Sequence, residues 1–83
     1  MQITVKLFAL LSPYLPAGAK GHEAPMQVPD GTTPAAVIES LGLPPKMTHL
    51  VLVNGAYVPP GERARLALRD GDALAIWPPV AGG

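Results

Sequence analysis

The sequence predicts an α+β fold: a mixed four- or five-stranded sheet with one main helix packed on one face. Three features point to it. An N-terminal run alternates apolar and polar residues, a short middle segment carries helix signals at both ends, and an Asn-Gly pair divides two runs of β-forming residues. A chain of 83 residues makes one domain rather than two, so residues 1–83 are expected to share one core.

The first run, "QITVKLF", puts Ile3, Val5 and Leu7 on one side and Thr4, Lys6 and Phe8 on the other, the period of a half-buried strand. Residues 9–25, "ALLSPYLPAGAKGHEAP", are rich in Pro and Gly and read as a loop with room for a short turn of its own. In "MQVP", Met26 and Val28 share a face, which predicts a short second strand. "DGTTPAAVIESLG" is a short helix: Thr33 caps it, and Pro34 takes the first position, where a missing N–H costs nothing. Val37, Ile38 and Leu41 form its apolar stripe, and Gly42 ends it in the left-handed conformation. "HLVLVNGAYV" is a hairpin turning on Asn54-Gly55, both of which tolerate positive φ. The polar crossing "PPGERARLALRDGD" contains a second turn at Asp70-Gly71. "ALAIWPPV" is the last strand, with Leu74 and Ile76 inward, Ala75 and Trp77 outward, and Pro78-Pro79 ending the ladder for want of N–H donors. Strand, strand, helix, hairpin, strand, with the first and last strands central and parallel, is the β-grasp arrangement of ubiquitin.

Composition removes several function classes. Six Lys plus Arg balance six Asp plus Glu, so the chain has no electrostatic footprint for nucleic acid. No apolar run is long enough for a membrane span, and the N-terminus lacks the basic start of a signal peptide, so a cytoplasmic protein is expected. With no cysteine there are no disulfides, thiolate metal sites or cysteine nucleophiles. His22 and His49 lie far apart in sequence and read as solvated surface, and no metal site is expected.

The aromatic residues are few: Phe8, Tyr14, Tyr57 and Trp77. Strand parity puts Phe8 and Trp77 on the sheet face turned away from the helix, and Tyr57 shares a face with Leu52 across the hairpin. Two readings stand on parity alone. Either the rings cover the edges of the core, or they form a patch on which a partner docks.

The last residues, "WPPVAGG", also have two readings, an unstructured end or a working device. Pro78, Pro79 and Val80 form a stiff lead, and Ala81, Gly82 and Gly83 make a thread thin enough for a channel that a Cβ would block. Residues 78–83 are accordingly expected to protrude as a tail. Such a tail suits delivery of the Gly83 carboxylate into another protein's active site. A carboxylate is a poor electrophile; adenylation with ATP makes it reactive, and a sulfur nucleophile can then displace AMP to leave a thiocarboxylate. The chain offers no phosphate-cradling Gly-rich loop and no convincing acid–base pair for this, which fits a carrier activated by another enzyme.

"VKLFA", "VNG", "LRDGD" and "WPPVAGG", in that order over almost the whole chain, resemble the MoaD/ThiS family of ubiquitin-like sulfur carriers, and most closely its MoaD type, the small subunit of molybdopterin synthase. The resemblance implies that a MoeB/ThiF-like enzyme adenylates Gly83 with ATP and that a persulfide donor supplies sulfur. It further implies that a MoaE-like large subunit receives the tail and uses the sulfur to build the dithiolene of molybdopterin. It assigns Phe8, Tyr57 and Trp77 to partner binding, no bound cofactor, and no catalytic side chains. The family more often has Phe at the position of Trp77, and the Pro-rich stretch after Phe8 is unusual for it. Other carrier pathways (thiamin thiazole, tungsten cofactor), a ubiquitin-like modifier joined to lysines through Gly83, and a β-grasp interaction module remain alternatives. Lys6, Lys20 and Lys46 carry no spacing that singles them out as acceptors, and Arg63, Arg65 and Arg69 read as a solvated edge with a rim contact as the alternative.

Overall fold

The computed structural model describes residues 1–79. Five strands form one sheet: β1 (Gln2–Leu7), β2 (Glu23–Gln27), β3 (Leu50–Val53), β4 (Ala56–Tyr57) and β5 (Ala73–Trp77), in the order β2-β1-β5-β3-β4. β1 and β5 are central and parallel, with Val5 opposite Leu74 and Leu7 opposite Ile76; the other pairings are antiparallel. This is the expected β-grasp architecture.

The alternation in β1 and β5 does what parity predicts. Ile3, Val5, Leu7, Leu74 and Ile76 are at most 1% exposed and face the helix side, where Val37, Leu43, Leu11, Val51 and Leu68 complete the core. Helix α1 (Pro34–Ser40) starts on Thr33, whose hydroxyl accepts from the Ala36 N–H at 3.2 Å. It stops at Gly42 (φ +72°), where the Gly42 and Leu43 N–H groups donate back to the carbonyls of Glu39 and Ile38. These paired reverse bonds close the last helical turn. Asn54 (φ +50°) and Gly55 (φ +84°) form the expected hairpin turn. The second turn is braced by side chains: Asp70 accepts from the Gln2 N–H, and Asp72 from the N–H of Arg69.

Two expectations need correction, the start of the second strand and the exposure of Arg63. The second strand begins at Glu23, earlier than the Met26–Val28 segment, because β2 is an edge strand and an edge tolerates Pro25. Pro25 offers the open edge no donor, and the backbone of Glu23 exchanges hydrogen bonds with Lys20 (2.8 and 3.2 Å), so that side is already partly closed. The loop ahead of it contains a 3₁₀ helix, Ala9–Tyr14, that buries Leu11 in the core. Finally, Arg63 is no part of a solvated edge: it is 9% exposed, whereas Arg65 and Arg69 are exposed. Its Nε donates to the Val58 carbonyl (3.1 Å), Nη1 to that of Thr48 (2.9 Å) and Nη2 to that of His49 (3.2 Å). Its own carbonyl accepts from the Ala35 N–H at 2.8 Å, one of the donors that a helix start leaves unpaired.

Leu74→Ala, which opens a cavity at the centre of the core, is expected to cost about 2–5 kcal/mol. Thr33→Ala, which removes only the helix cap, should cost about 1 kcal/mol. Urea denaturation of both variants checks the ranking, and equal losses would contradict this assignment of the core.

Candidate functional site

Parallel pairing of β1 and β5 brings their C-terminal ends to the same end of the sheet. Leu7 lies opposite Ile76, and the next residue, Phe8, donates its N–H to the Ile76 carbonyl at 3.3 Å. The side chains one step further along each strand, Phe8 and Trp77, point away from the core. Their rings stack with centroids 4.2 Å apart and planes within 3°. A third ring, that of His22, lies 5.2 Å from Phe8 at 29°. The Leu7 N–H, bonded to the His22 carbonyl at 2.8 Å, holds that residue beside the end of β1. Directly after Phe8 the chain turns off the sheet through Ala9 (φ +54°), and Leu10 beyond it is 73% exposed.

From Trp77 the apolar face continues across the hairpin. Leu50 is opposite Trp77, Leu52 is opposite Ala75, and Tyr57 is opposite Leu52. Tyr57 is 54% exposed, and Phe8, Leu50, Leu52 and Trp77 are half-buried. The three residues expected to bind partners therefore lie on one sheet face, with Phe8 and Trp77 in contact and Tyr57 reached through Leu52. Toward β2 the face ends in charge: Lys6 Nζ sits 3.9 Å from the Glu23 carboxylate, and both side chains are substantially exposed. That pair contributes at most about 1 kcal/mol to stability, so it borders the patch more than it holds the sheet.

Sequence reasoning missed Leu50 and His22. Leu50 was within reach, since the alternation that places Leu52 outward in "LVLV" places Leu50 outward as well. His22 follows a loop whose path no periodicity encodes. His49 is exposed, as expected for a surface histidine. No group of three or more His, Asp or Glu able to hold a metal ion occurs among the described residues.

The base of the C-terminal segment is fixed from both sides. Phe8 holds the Ile76 carbonyl, and the His49 N–H donates to the Trp77 carbonyl at 3.1 Å. Pro78, assigned above to the protruding lead, is buried, and Pro79 is exposed. The lead thus starts one residue later than the sequence implied, because Pro78 follows a strand end anchored on two neighbours. Val80, Ala81, Gly82 and Gly83 lie outside the described residues.

The model of the ThiS family matches residues 5–83. The chain belongs to the ThiS family. The sulfur-carrier resemblance carried by the turns and the tail therefore holds at family level. Among solved structures, this ThiS-family chain is similar to SAMP1 from Haloferax volcanii, at 28% identity over 100% of both chains and a TM-score of 0.69. It is also similar to a putative molybdopterin converting factor, subunit 1, from Pyrococcus furiosus: 25% identity over 95% of this chain and 98% of that one, TM-score 0.66. A chain of the complex between subunits 1 and 2 of molybdopterin-converting factor from Helicobacter pylori shares the fold at 20% identity over 100% of both chains, with a TM-score of 0.58. No curated protein matches the chain. No helix among the described residues is long and apolar enough to cross a membrane.

Stacked aromatic pairs contribute about 0.5–1.5 kcal/mol beyond the area they bury. A double-mutant cycle of Phe8→Ala and Trp77→Ala, read by urea denaturation, is expected to return a coupling of that size. Each single variant should cost less than Leu74→Ala, since both rings are half-exposed. A Trp77→Ala loss equal to that of Leu74→Ala would make Trp77 a core residue.

Proposed function

We propose that the chain is a MoaD-type sulfur carrier whose working group is the Gly83 carboxylate. The observation that carries this reading is the stacked Phe8–Trp77 pair, which heads an outward apolar face at the point where the chain departs toward its Gly-Gly end. Rings that serve only the core would face the helix; these face away from it, where a partner can cover them. The likeness to the Pyrococcus furiosus protein supports the molybdopterin branch.

In this reading a MoeB/ThiF-like enzyme docks on the face around Phe8, Tyr57 and Trp77. From the anchored, buried Pro78, the lead of Pro79, Val80, Ala81 and Gly82 carries Gly83 into that enzyme's active site. A Gly83 carboxylate oxygen attacks the α-phosphorus of ATP, pyrophosphate leaves, and an acyl adenylate forms. The terminal sulfur of a persulfide donor attacks the acyl carbon and AMP departs. A thiol then attacks the donor sulfur of the resulting acyl disulfide, which releases the thiocarboxylate and leaves a mixed disulfide on the donor. A second thiol reduces that disulfide, returning the donor thiol and forming a disulfide between the two reducing thiols. A MoaE-like subunit covers the same face and receives the tail, and the thiocarboxylate gives its sulfur to the pterin precursor. ATP is bound by the activating enzyme, and the carrier itself holds no cofactor. These steps place the protein in the cytoplasm, where ATP and reduced thiols are available.

Incubation with ATP, a MoeB-like enzyme and a persulfide donor should raise the intact mass by the exchange of one oxygen for one sulfur at Gly83. Removal of Gly82 and Gly83, or one residue added after Gly83, should abolish the change. Trp77→Ala should raise KM for adenylation roughly thirtyfold or more, as expected for an aromatic anchor worth at least about 2 kcal/mol. An unchanged mass with an activating enzyme competent on its own carrier would overturn the proposal. Isopeptide-linked products would point to a protein modifier, and full function without Gly82 and Gly83 to a binding module.

A further inference from the structure

Arg63 is a buried cation with an unusual set of partners. Among the described residues the ion pairs are Met1 with Asp30 and Lys6 with Glu23, so no described carboxylate faces the guanidinium. It is satisfied by three main-chain carbonyls instead, those of Val58, Thr48 and His49. Two of these are consecutive. One planar fork therefore restrains two successive peptide units in the segment that leads into β3, which is otherwise irregular (Thr48 φ −98°, ψ +68°).

The Thr48 carbonyl and the His49 N–H belong to the same rigid peptide unit, and in a trans peptide they point in opposite directions. Arg63 Nη1 donates to one end of that plate at 2.9 Å; the other end donates to the Trp77 carbonyl at 3.1 Å. The result is a short polarised relay from a buried positive charge, through one peptide plate, to the carbonyl immediately before Pro78. It is the last main-chain hydrogen bond along the chain among the described residues, since Pro78 and Pro79 have no N–H to offer. Rotation of the plate would take the His49 N–H away from the Trp77 carbonyl and leave that carbonyl without its restraint.

We propose that Arg63 is a positioning residue for the C-terminal tail, fixing through the Thr48–His49 peptide unit the direction in which the chain leaves the sheet after Trp77. The proposal rests on the sulfur-carrier reading for its purpose, but not for its geometry. Arg63 lies on the core side and leaves the aromatic face untouched, so it governs where Gly83 is delivered and not how tightly the partner docks.

The test is Arg63→Lys in the full chain, because an ammonium carries its donors on one nitrogen and cannot reproduce the planar Nε–Nη1–Nη2 fork spread over the Val58, Thr48 and His49 carbonyls. Hydrogen exchange followed by NMR should show the His49 amide exchanging roughly tenfold faster or more, as local opening predicts. The Thr4 and Leu7 amides, bonded to the Asp72 and His22 carbonyls, should keep their wild-type rates. With the activating enzyme and ATP, kcat for adenylation should fall roughly tenfold to a hundredfold at unchanged KM, the signature of a misplaced reacting group. An unchanged His49 amide, a uniform acceleration of all amides, or an unchanged kcat each overturns the proposal. A wild-type chain that the activating enzyme ignores would defeat the sulfur-carrier reading instead, and the amide comparison would still decide the relay. Arg63→Met is the more severe variant; should it fail to fold, Arg63→Lys alone decides.

Discussion

The parallel contact between β1 and β5 is the constraint on which the rest of the molecule depends. Parallel neighbours cannot be joined by a tight turn, so everything between Leu7 and Ala73 is in effect one long crossover that must return to the same end of the sheet. Along the way β2 covers one flank of the central pair, α1 covers one face, and the β3–β4 hairpin covers the other flank. With both flanks paired, the inward residues Val5, Leu7, Leu74 and Ile76 are fully buried in a chain that has little core to spare. The same parallel geometry makes the site. An antiparallel pair would have put Phe8 and Trp77 at opposite ends of the sheet; running together, the strands deliver both rings to one place, one step past the last inward residues.

A buried charge holds the crossover closed. Arg63 makes charge-assisted hydrogen bonds to main chain on both sides of the β3–β4 hairpin, and its carbonyl receives a donor from the first turn of α1. Such bonds contribute about 1.5–3 kcal/mol each when made, while the carbonyls left behind by their loss cost a comparable amount. An apolar residue at position 63 would fill the space and leave three carbonyls unpaired. The same arginine therefore closes the fold and restrains the strand end at which the tail begins.

Most of the sheet and the identity of the outer face were legible in the sequence, because period-two alternation is a local property. Ile3, Val5, Leu7, Leu74, Ile76 and the Leu52–Tyr57 pair follow from parity and turn chemistry at Asn54-Gly55. The start of β2 was not legible, since Pro25 argues against a strand unless its position at the edge is known, and edge position depends on the global strand order. Arg63 looked like its neighbours Arg65 and Arg69 for the same kind of reason. Nothing in "ERARLALRD" says which arginine faces the unpaired carbonyls of residues 48, 49 and 58, because those carbonyls come from distant segments. Pro78 was misjudged because a missing N–H fixes where the ladder ends but says nothing about whether the ring remains covered.

Under the carrier reading, the docking face and the reactive end make opposite physical demands. A face that engages partners gains from rings that are already immobile: Phe8 and Trp77 hold each other at 4.2 Å before any partner arrives. Docking then avoids much of the roughly 0.5–1.5 kcal/mol that each freshly immobilised side chain costs. A terminus that must reach a buried active site gains from carrying no side chain at all, as Gly82 and Gly83 do. Under the carrier reading one face serves every partner, and it can be covered by only one at a time. A standard interface takes about 800 Å² from each protein, roughly a sixth of the 4952 Å² this chain exposes. Partners that compete for that area must bind in succession. Discrimination between them then falls to the one group that differs between steps, the chemical state of the terminus.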